Sequence, residues 1–258
     1  MEDKEERDLK RRKISATRGF PPHGKNAISK VKMHSKSDDA EENSSARKRV
    51  EEILKLFRAT CWKLIQDEKY TRRIDMEAYN ILKRNINFVN LSCHQFGNIP
   101  GVNVGDRFKY RIELKLVGLH RPPRNGIDYM KVNEQSLATS IVDSGGYENQ
   151  VGSKELIYMG QGGNVAYKKK PSEDQKLTRG NAALKNSIYA KNPVRVIRMI
   201  KSHTVRPNVM GENFIYDGLY MVQEYWQELG SNGFRVYKFR LVRMDDQSGN
   251  SWIKLKKF

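Results

Sequence analysis

The chain has 258 residues, 38% hydrophobic and 30% charged, with 48 Lys and Arg against 30 Asp and Glu, for a formal net charge of +18 at pH 7. That length fits one domain with an extension, and the balance fits a globular protein with a polar tail rather than a membrane protein, since no apolar run approaches the ~20 residues a transmembrane helix needs. The charged opening residues lack the apolar core of a secretory signal, so the expectation is an intracellular protein whose field attracts polyanions, nucleic acid first among them.

In chain order, residues 1–45 are rich in Lys, Arg, Ser, Asp and Glu with few large apolar side chains, which predicts a disordered charged tail. Within it Lys10-Arg-Arg-Lys13 reads equally as a nuclear import signal, a phosphate-binding patch or a solvated charge run. Residues 46–90 form a helical extension. Val50, Ile53, Leu54, Phe57, Cys61, Leu64 and Ile65 recur at helical spacing and predict a helix over 45–69 with one apolar stripe. A second helix over 75–84, with Met76, Tyr79 and Leu82 on one face, is its natural cover, and dimerisation is the competing use of the stripe. Cys61 falls on the apolar face and reads as a buried structural thiol. With Cys93 it makes two cysteines, too few for a zinc cluster of about four ligands, and five dispersed histidines imply no metal site.

The main domain, residues 91–258, opens on the turn-rich Ile99-Pro-Gly-Val-Asn-Val-Gly-Asp106. Strict alternation over 107–116 predicts a half-buried strand with Phe108, Tyr110, Ile112, Leu114 and Leu116 inward and Lys109, Arg111, Glu113 and Lys115 outward. Further strands are predicted over 138–142, 156–159, 194–200, 219–226 and 234–242, bounded by Gly, Asn and Pro turns. A helix over 178–189, with Leu184 and Ile188 inward, interrupts them. Strands with a helix inside the series predict an α+β fold built on a curled sheet or partly open barrel.

An ordered set of motifs carries a resemblance over this region: Gly118-Leu-His-Arg-Pro122, Gly126-Ile-Asp-Tyr129, Ser144-Gly-Gly-Tyr147, Tyr158-Met-Gly-Gln-Gly-Gly163, Asp174-Gln-Lys-Leu177, Asn181-Ala-Ala-Leu184, Pro193-Val-Arg-Val-Ile-Arg198 and Tyr216-Asp-Gly218. The set resembles the SRA (YDG) domain, with the wording of the plant branch that precedes histone methyltransferase SET domains. The resemblance implies an SRA/PUA-like sheet and a nuclear, chromatin-associated protein. Its partner would be duplex DNA, methylated, from which a cytosine is flipped into a pocket. The chain stops at Phe258 with no segment resembling a SET domain, a RING finger or a nuclease, so the expectation is a stand-alone reader with no catalytic residues, cofactor or metal. Chromatin proteins are possible partners of the helical extension, and the oligomeric state stays open.

Carried over residue by residue, Tyr147 and Tyr158 match the two rings that sandwich the base, and stacking offsets much of the few kcal/mol that flipping costs. Gly145, Gly146 and Gly160 permit close backbone approach; the competing reading places both rings in the core. Where most SRA pockets hold an aspartate this chain has Asn149 and Gln150, and Met159 replaces a small hydroxyl residue. An amide still pairs with cytosine, but neutral hydrogen bonds are weaker than charge-assisted ones, so weakened or altered base selection is expected. Residues 121–125 match the thumb loop that enters a groove, giving His120, Arg121, Arg124 and Asn125 as contact residues with Arg124 at the tip. His120, with no nucleophile or carboxylate apparent beside it, reads as structural rather than catalytic. Gln161 and the basic finger Lys168, Lys169 and Lys170 complete the set, the lysines suiting phosphates rather than base edges. A degenerate scaffold without base recognition is the alternative.

Overall fold

The computed structural model describes residues 36–67, 73–85, 94–143, 150–151, 154–163, 173–200, 214–245 and 247. Its elements are α1 (Lys36–Gln66), α2 (Ile74–Asn85), β1 (Arg107–Phe108), α3 (Arg111–Leu116), β2 (Ile127–Val132), β3 (Gln135–Asp143), β4 (Gln150–Val151), β5 (Glu155–Met159), α4 (Arg179–Ala190), β6 (Val194–Met199), β7 (Phe214–Leu229) and β8 (Arg235–Arg243). The strands form one open sheet in the order β2-β3-β6-β7-β8-β5-β4, with β1 added to β7. Only β3 and β6 run parallel among these pairs. The expected α+β class with an open sheet is therefore what the chain adopts.

The sixteen-residue β7 organises the sheet. Residues 214–220 pair with β6 and residues 220–229 pair with β8. Within the first stretch Val196 faces Gly218 and Ile197 faces Tyr216, so Asp217 is the extra residue of a β-bulge. Gly218 beside it has φ +113, a conformation L side chains rarely adopt. The bulge turns Asp217 inward, where its carboxylate accepts hydrogen bonds from Arg198 Nε at 2.6 Å and from the Tyr220 hydroxyl at 2.7 Å. Arg198 also donates to Asp143 and Tyr220. Burying these charges is tolerable because each has its partner. The main core packs α4 on the sheet, through Ala183, Leu184, Val196, Val222 and Phe239. Ile188 packs against it, as its spacing implied.

Residues 107–116 depart from the strand expected for them. Only Arg107 and Phe108 pair as a strand, and residues 111–116 form α3. The alternation misleads because α3 is enclosed on more than one side, and Glu113, expected in solvent, is fully buried. Its carboxylate takes both Nε (2.8 Å) and Nη2 (3.1 Å) of Arg58 on α1, and the amide of Lys109. A C-terminal lock ends the helix: Gly118 at φ 78 donates to Lys115 O, and Leu119 donates to Leu114 O. This is a Schellman motif, which needs a left-handed residue where the chain leaves the helix.

Helix α1 begins at Lys36, ahead of the expected Ser45, so residues 36–45 belong to it rather than to the tail. Its stripe is covered within the chain. Val50, Ile53 and Leu54 pack on Ile99, Val102 and Phe108, and Phe57 and Cys61 pack among Ala78, Leu82, Ile112 and Leu116. The same residues are therefore not available for dimerisation. Burial pushes the Cys61 thiol up to about 12, making it an inert structural group. Arg47 adds a bond to Asp106, and Gly101 meets α1 so closely that a Cβ there would lie 2.5 Å from the Ala46 backbone. No helix among the described residues is long and apolar enough to cross a membrane. The tail with Lys10-Arg-Arg-Lys13, and Cys93, lie outside the described residues.

Replacing Arg58 by Ala would leave the Glu113 carboxylate buried without its guanidinium. It is expected to destabilise the chain by about 3 kcal/mol, read as a lowered urea midpoint with an unchanged m-value.

Candidate nucleic-acid interface

Two of the expected site regions fall among the described residues and meet at Gly126. The first is the end of β5. Tyr158 pairs with Phe239 of β8, and Tyr158 and Met159 are 2% and 1% exposed. The Tyr158 ring packs in the main core, and its hydroxyl lies so near Gly126 that a Cβ there would sit 2.5 Å from it. Beyond Met159 the backbone is clamped. Gly160 donates to Tyr237 O (2.8 Å), and Gly160 O accepts from Gln175 Nε2 (2.7 Å). Gln161 donates to Asn181 Oδ1 (2.9 Å), and Gln161 O accepts from Asn181 Nδ2 (2.9 Å). The side chains of Gln175 and Asn181 are nearly fully buried, and Gln175 Oε1 also accepts from Tyr237 N. A Cβ on Gly160 would lie 2.7 Å from Asn181 Oδ1, so only glycine lets the clamp close.

The second region is the loop 121–125. Its root is fixed by Arg195 of β6, a buried guanidinium whose Nε donates to Leu119 O while Nη1 donates to the carbonyls of Gln95 and Gly97. Burial brings Arg195 down to about 10, still cationic at neutral pH. Of His120 and Arg121, both expected to meet a ligand, His120 is turned inward, and Arg121 is partly exposed but paired within the chain. His120 is fully buried, with Nδ1 2.8 Å from Ser140 Oγ and Nε2 2.9 Å from Asn125 O. Arg121 lies along Asp128, through Nε at 3.0 Å and Nη2 at 2.8 Å, and reaches Tyr129 O. Arg111 on α3 donates to Pro122 O and Asn125 O. Pro123, Arg124 and Asn125 are exposed and form the tip.

Gly145, Gly146, Tyr147, Asn149, Lys168, Lys169 and Lys170 lie outside the described residues. Gln150 begins β4, opposite Ile157 and so beside Tyr158 on the sheet edge. Sequence reasoning quoted Gln175, Asn181, Asp128 and Arg195 within motifs but gave them no role. The available signal was their polar character inside short runs of apolar or glycine neighbours, where a buried polar group must find partners. Among the described residues no cluster of three His, Cys, Asp or Glu side chains is placed to hold a metal.

Burial pushes His120 down to about 3, and the neighbouring Arg111 guanidinium adds to the effect. Burial alone would raise Asp128, but the Arg121 side-chain and backbone bonds outweigh it and hold the carboxyl below its usual range. For His120 the unfolded chain binds a proton near pH 6.5 and the folded chain resists it, so stability is complete above that pH and falls as pH drops toward 3. Asp128 acts in the same sense at lower pH. The chain is expected to lose about 2 kcal/mol between pH 8 and pH 5 from His120 alone, a slope that His120→Gln should flatten in denaturant titrations across that range.

Comparison with known proteins places this geometry. The SAD/SRA domain family matches residues 95–247. The histone-lysine N-methyltransferase SUVH6, H3 lysine-9 specific, of Arabidopsis thaliana is 44% identical over 238 residues, covering 86% of this chain and 30% of that protein. A YDG domain-containing protein of Arabidopsis thaliana is 42% identical over 212 residues, covering 78% of this chain and 63% of that one. Among solved structures, the SUVH5 SRA in complex with fully methylated CG DNA is 53% identical with a TM-score of 0.52, covering 60% of this chain and 97% of that chain. The chain thus spans under a third of the length of SUVH6. It belongs to the SAD/SRA domain family.

Proposed function

We propose that the chain is a non-catalytic, nuclear, chromatin-associated protein that binds duplex DNA and receives a flipped cytosine, methylated or not, between Tyr147 and Tyr158. The observation that carries this reading is the rigid mounting of Tyr158 and Gly160 beside the exposed tip Pro123-Arg124-Asn125, in a chain 53% identical to an SRA solved with methylated CG DNA. Flipping costs a few kcal/mol, which stacking on two rings at ~1 to 3 kcal/mol each would offset. The net charge of +18 supplies the sequence-independent attraction. Lys168, Lys169 and Lys170 would take phosphates, and Gln161 would line the pocket mouth. Neither phenol rings nor amides can activate water, so no reaction is assigned to the pocket.

Base selection is the step this chain would perform differently. Asn149, Gln150 and Met159 would replace a charge-assisted bond and a small residue with neutral bonds and a thioether. Discrimination between methylated and unmethylated cytosine would be weaker as a result. One observation favours a second reading, a scaffold that recruits chromatin proteins without reading a base. Tyr158 is packed in the core, so a base stacking on it has to displace the atoms that cover the ring. In that reading partners would meet the outer face of α1, where Leu56 and Trp62 are exposed.

Equilibrium titration with matched duplexes, with and without one 5-methylcytosine, separates the two. Tight, salt-sensitive binding with a methyl preference under about tenfold is expected, and a much larger preference at several ionic strengths would contradict weakened selection. Gly126→Ala, which forces a methyl group against the Tyr158 hydroxyl, should weaken binding roughly five- to 150-fold, the equivalent of one stacking contact. Combining it with Tyr158→Phe should restore most of the loss. Unchanged binding in Gly126→Ala would favour the scaffold.

A further inference from the structure

We propose that Arg111 and His120 are positioning residues that hold the tip Pro123-Arg124-Asn125 in its DNA-entering shape without touching DNA themselves; this rests on the DNA-binding reading above. The two carbonyls flanking the tip, Pro122 O and Asn125 O, are both taken by the single Arg111 guanidinium, and Asn125 O also lies 2.9 Å from His120 Nε2. A planar, multi-donor group suits this task, because one side chain fixes two carbonyls at a set separation. His120 is held from the other side by Ser140 Oγ of β3. Arg121 secures the first residue of the loop, its amide and guanidinium both bonded to Asp128 of β2. The loop is thus tied to a helix and to two strands, and what extends beyond the ties is Arg124 with its two neighbours.

The arrangement accounts for a feature that a contact role leaves unexplained. A histidine fully buried beneath a DNA-facing loop cannot reach a phosphate, and a charged imidazolium would stand 3.2 Å from Arg111 Nη2. As a neutral group it completes the hydrogen bonding of Asn125 O instead. Pre-forming an inserting loop removes ordering cost at the moment of binding, so the brace should appear as affinity delivered through Arg124.

The test uses the full chain, a 20-bp duplex holding one 5-methylcytosine, and a DNA-free measurement alongside. Arg111→Met keeps the apolar stem and removes the donors. It should weaken binding about tenfold while leaving the slope of log affinity against log salt unchanged. In the Arg124→Ala background the same change should cost nothing more, because the brace then has nothing to present. His120→Gln, which can still donate to Asn125 O, should bind within about twofold of the natural chain. Without DNA, amide hydrogen exchange at Arg124, Asn125 and Gly126 should rise at least tenfold in Arg111→Met and stay unchanged in Arg124→Ala. A salt slope reduced by about one would mark Arg111 as a direct phosphate contact and overturn the proposal. Additive losses in the double variant, or unaltered exchange, would overturn it too. If the natural chain fails to bind the duplex, the functional reading falls, and the exchange arm still decides whether the brace exists.

Discussion

The buried charge cluster at the β7 bulge is the constraint on which the rest of the molecule depends. Arg198, Asp217, Asp143 and Tyr220 are all nearly inaccessible to water, and their hydrogen bonds join β3, β6 and β7. A bulge inserts one residue and strengthens local twist, which lets one strand serve β6 along its first half and β8 along its second. Without the bulge, Arg198 would lose its 2.6 Å bond to the Asp217 carboxylate and keep only the longer contacts to Asp143 and Tyr220 inside the core, a costly change for a buried charge. The Tyr216-Asp217-Gly218 motif thus has a mechanical meaning: the aspartate is aimed inward, and the glycine supplies the backbone angle that aims it. Gly218 also admits Gln247, whose side chain bonds the Leu219 backbone on both sides.

From that cluster two arms reach the candidate site. Through β8 and β5 the sheet delivers Tyr158 and the clamped Gly160-Gln161 backbone. Through β6 it delivers Arg195, which fixes Leu119 and with it the root of the loop. Helix α3 joins the second arm to the helical hairpin. Glu113 on it faces Arg58 of α1, and Arg111 on it faces the loop carbonyls. Six residues of helix therefore couple the extension to the tip that would enter DNA. The hairpin is a structural part of the site's mounting, although none of its residues belongs to the site.

Much of the fold was legible in the sequence where a single periodicity ruled. The strand over 235–243 and the helix over 179–190 lie close to their expected bounds because each has one buried face opposing a wetter one, and the strand over 194–199 does so as a short apolar run buried on both faces. Residues 107–116 failed for the opposite reason: buried on several sides, they show an apolar alternation unrelated to the backbone period. β2 was missed because its own residues do not alternate: Ile127 and Asp128 are both buried, and the four residues after them are all partly exposed or exposed. The start of α1 was placed late because its first turns are polar and lack the stripe that marks the rest. Within the candidate site, the motifs marked the loop 121–125 and the glycines as candidates. They could not tell which polar side chains find partners within the chain: His120 and Arg121 were assigned to the ligand, yet they bond to Asn125 and Asp128.

That internal pairing changes how the positive charge should be read. A net charge of +18 suggests a uniformly sticky surface, but Arg195 and Arg198 are buried, Arg121 is matched by Asp128, and Arg58 by Glu113. Guanidinium groups here serve first as multi-donor fasteners for carbonyls and carboxylates, a role for which lysine is poorly shaped. Long-range attraction to a polyanion then falls to the remaining lysines and exposed arginines, groups that suit phosphates and do not read sequence. In the proposed DNA-binding reading, affinity and selection would be carried by separate groups. Strengthening the first would do nothing for the second, and selection in that reading would rest on the few uncharged atoms around Tyr158 and Gly160, beside the backbone that Gln175 and Asn181 clamp.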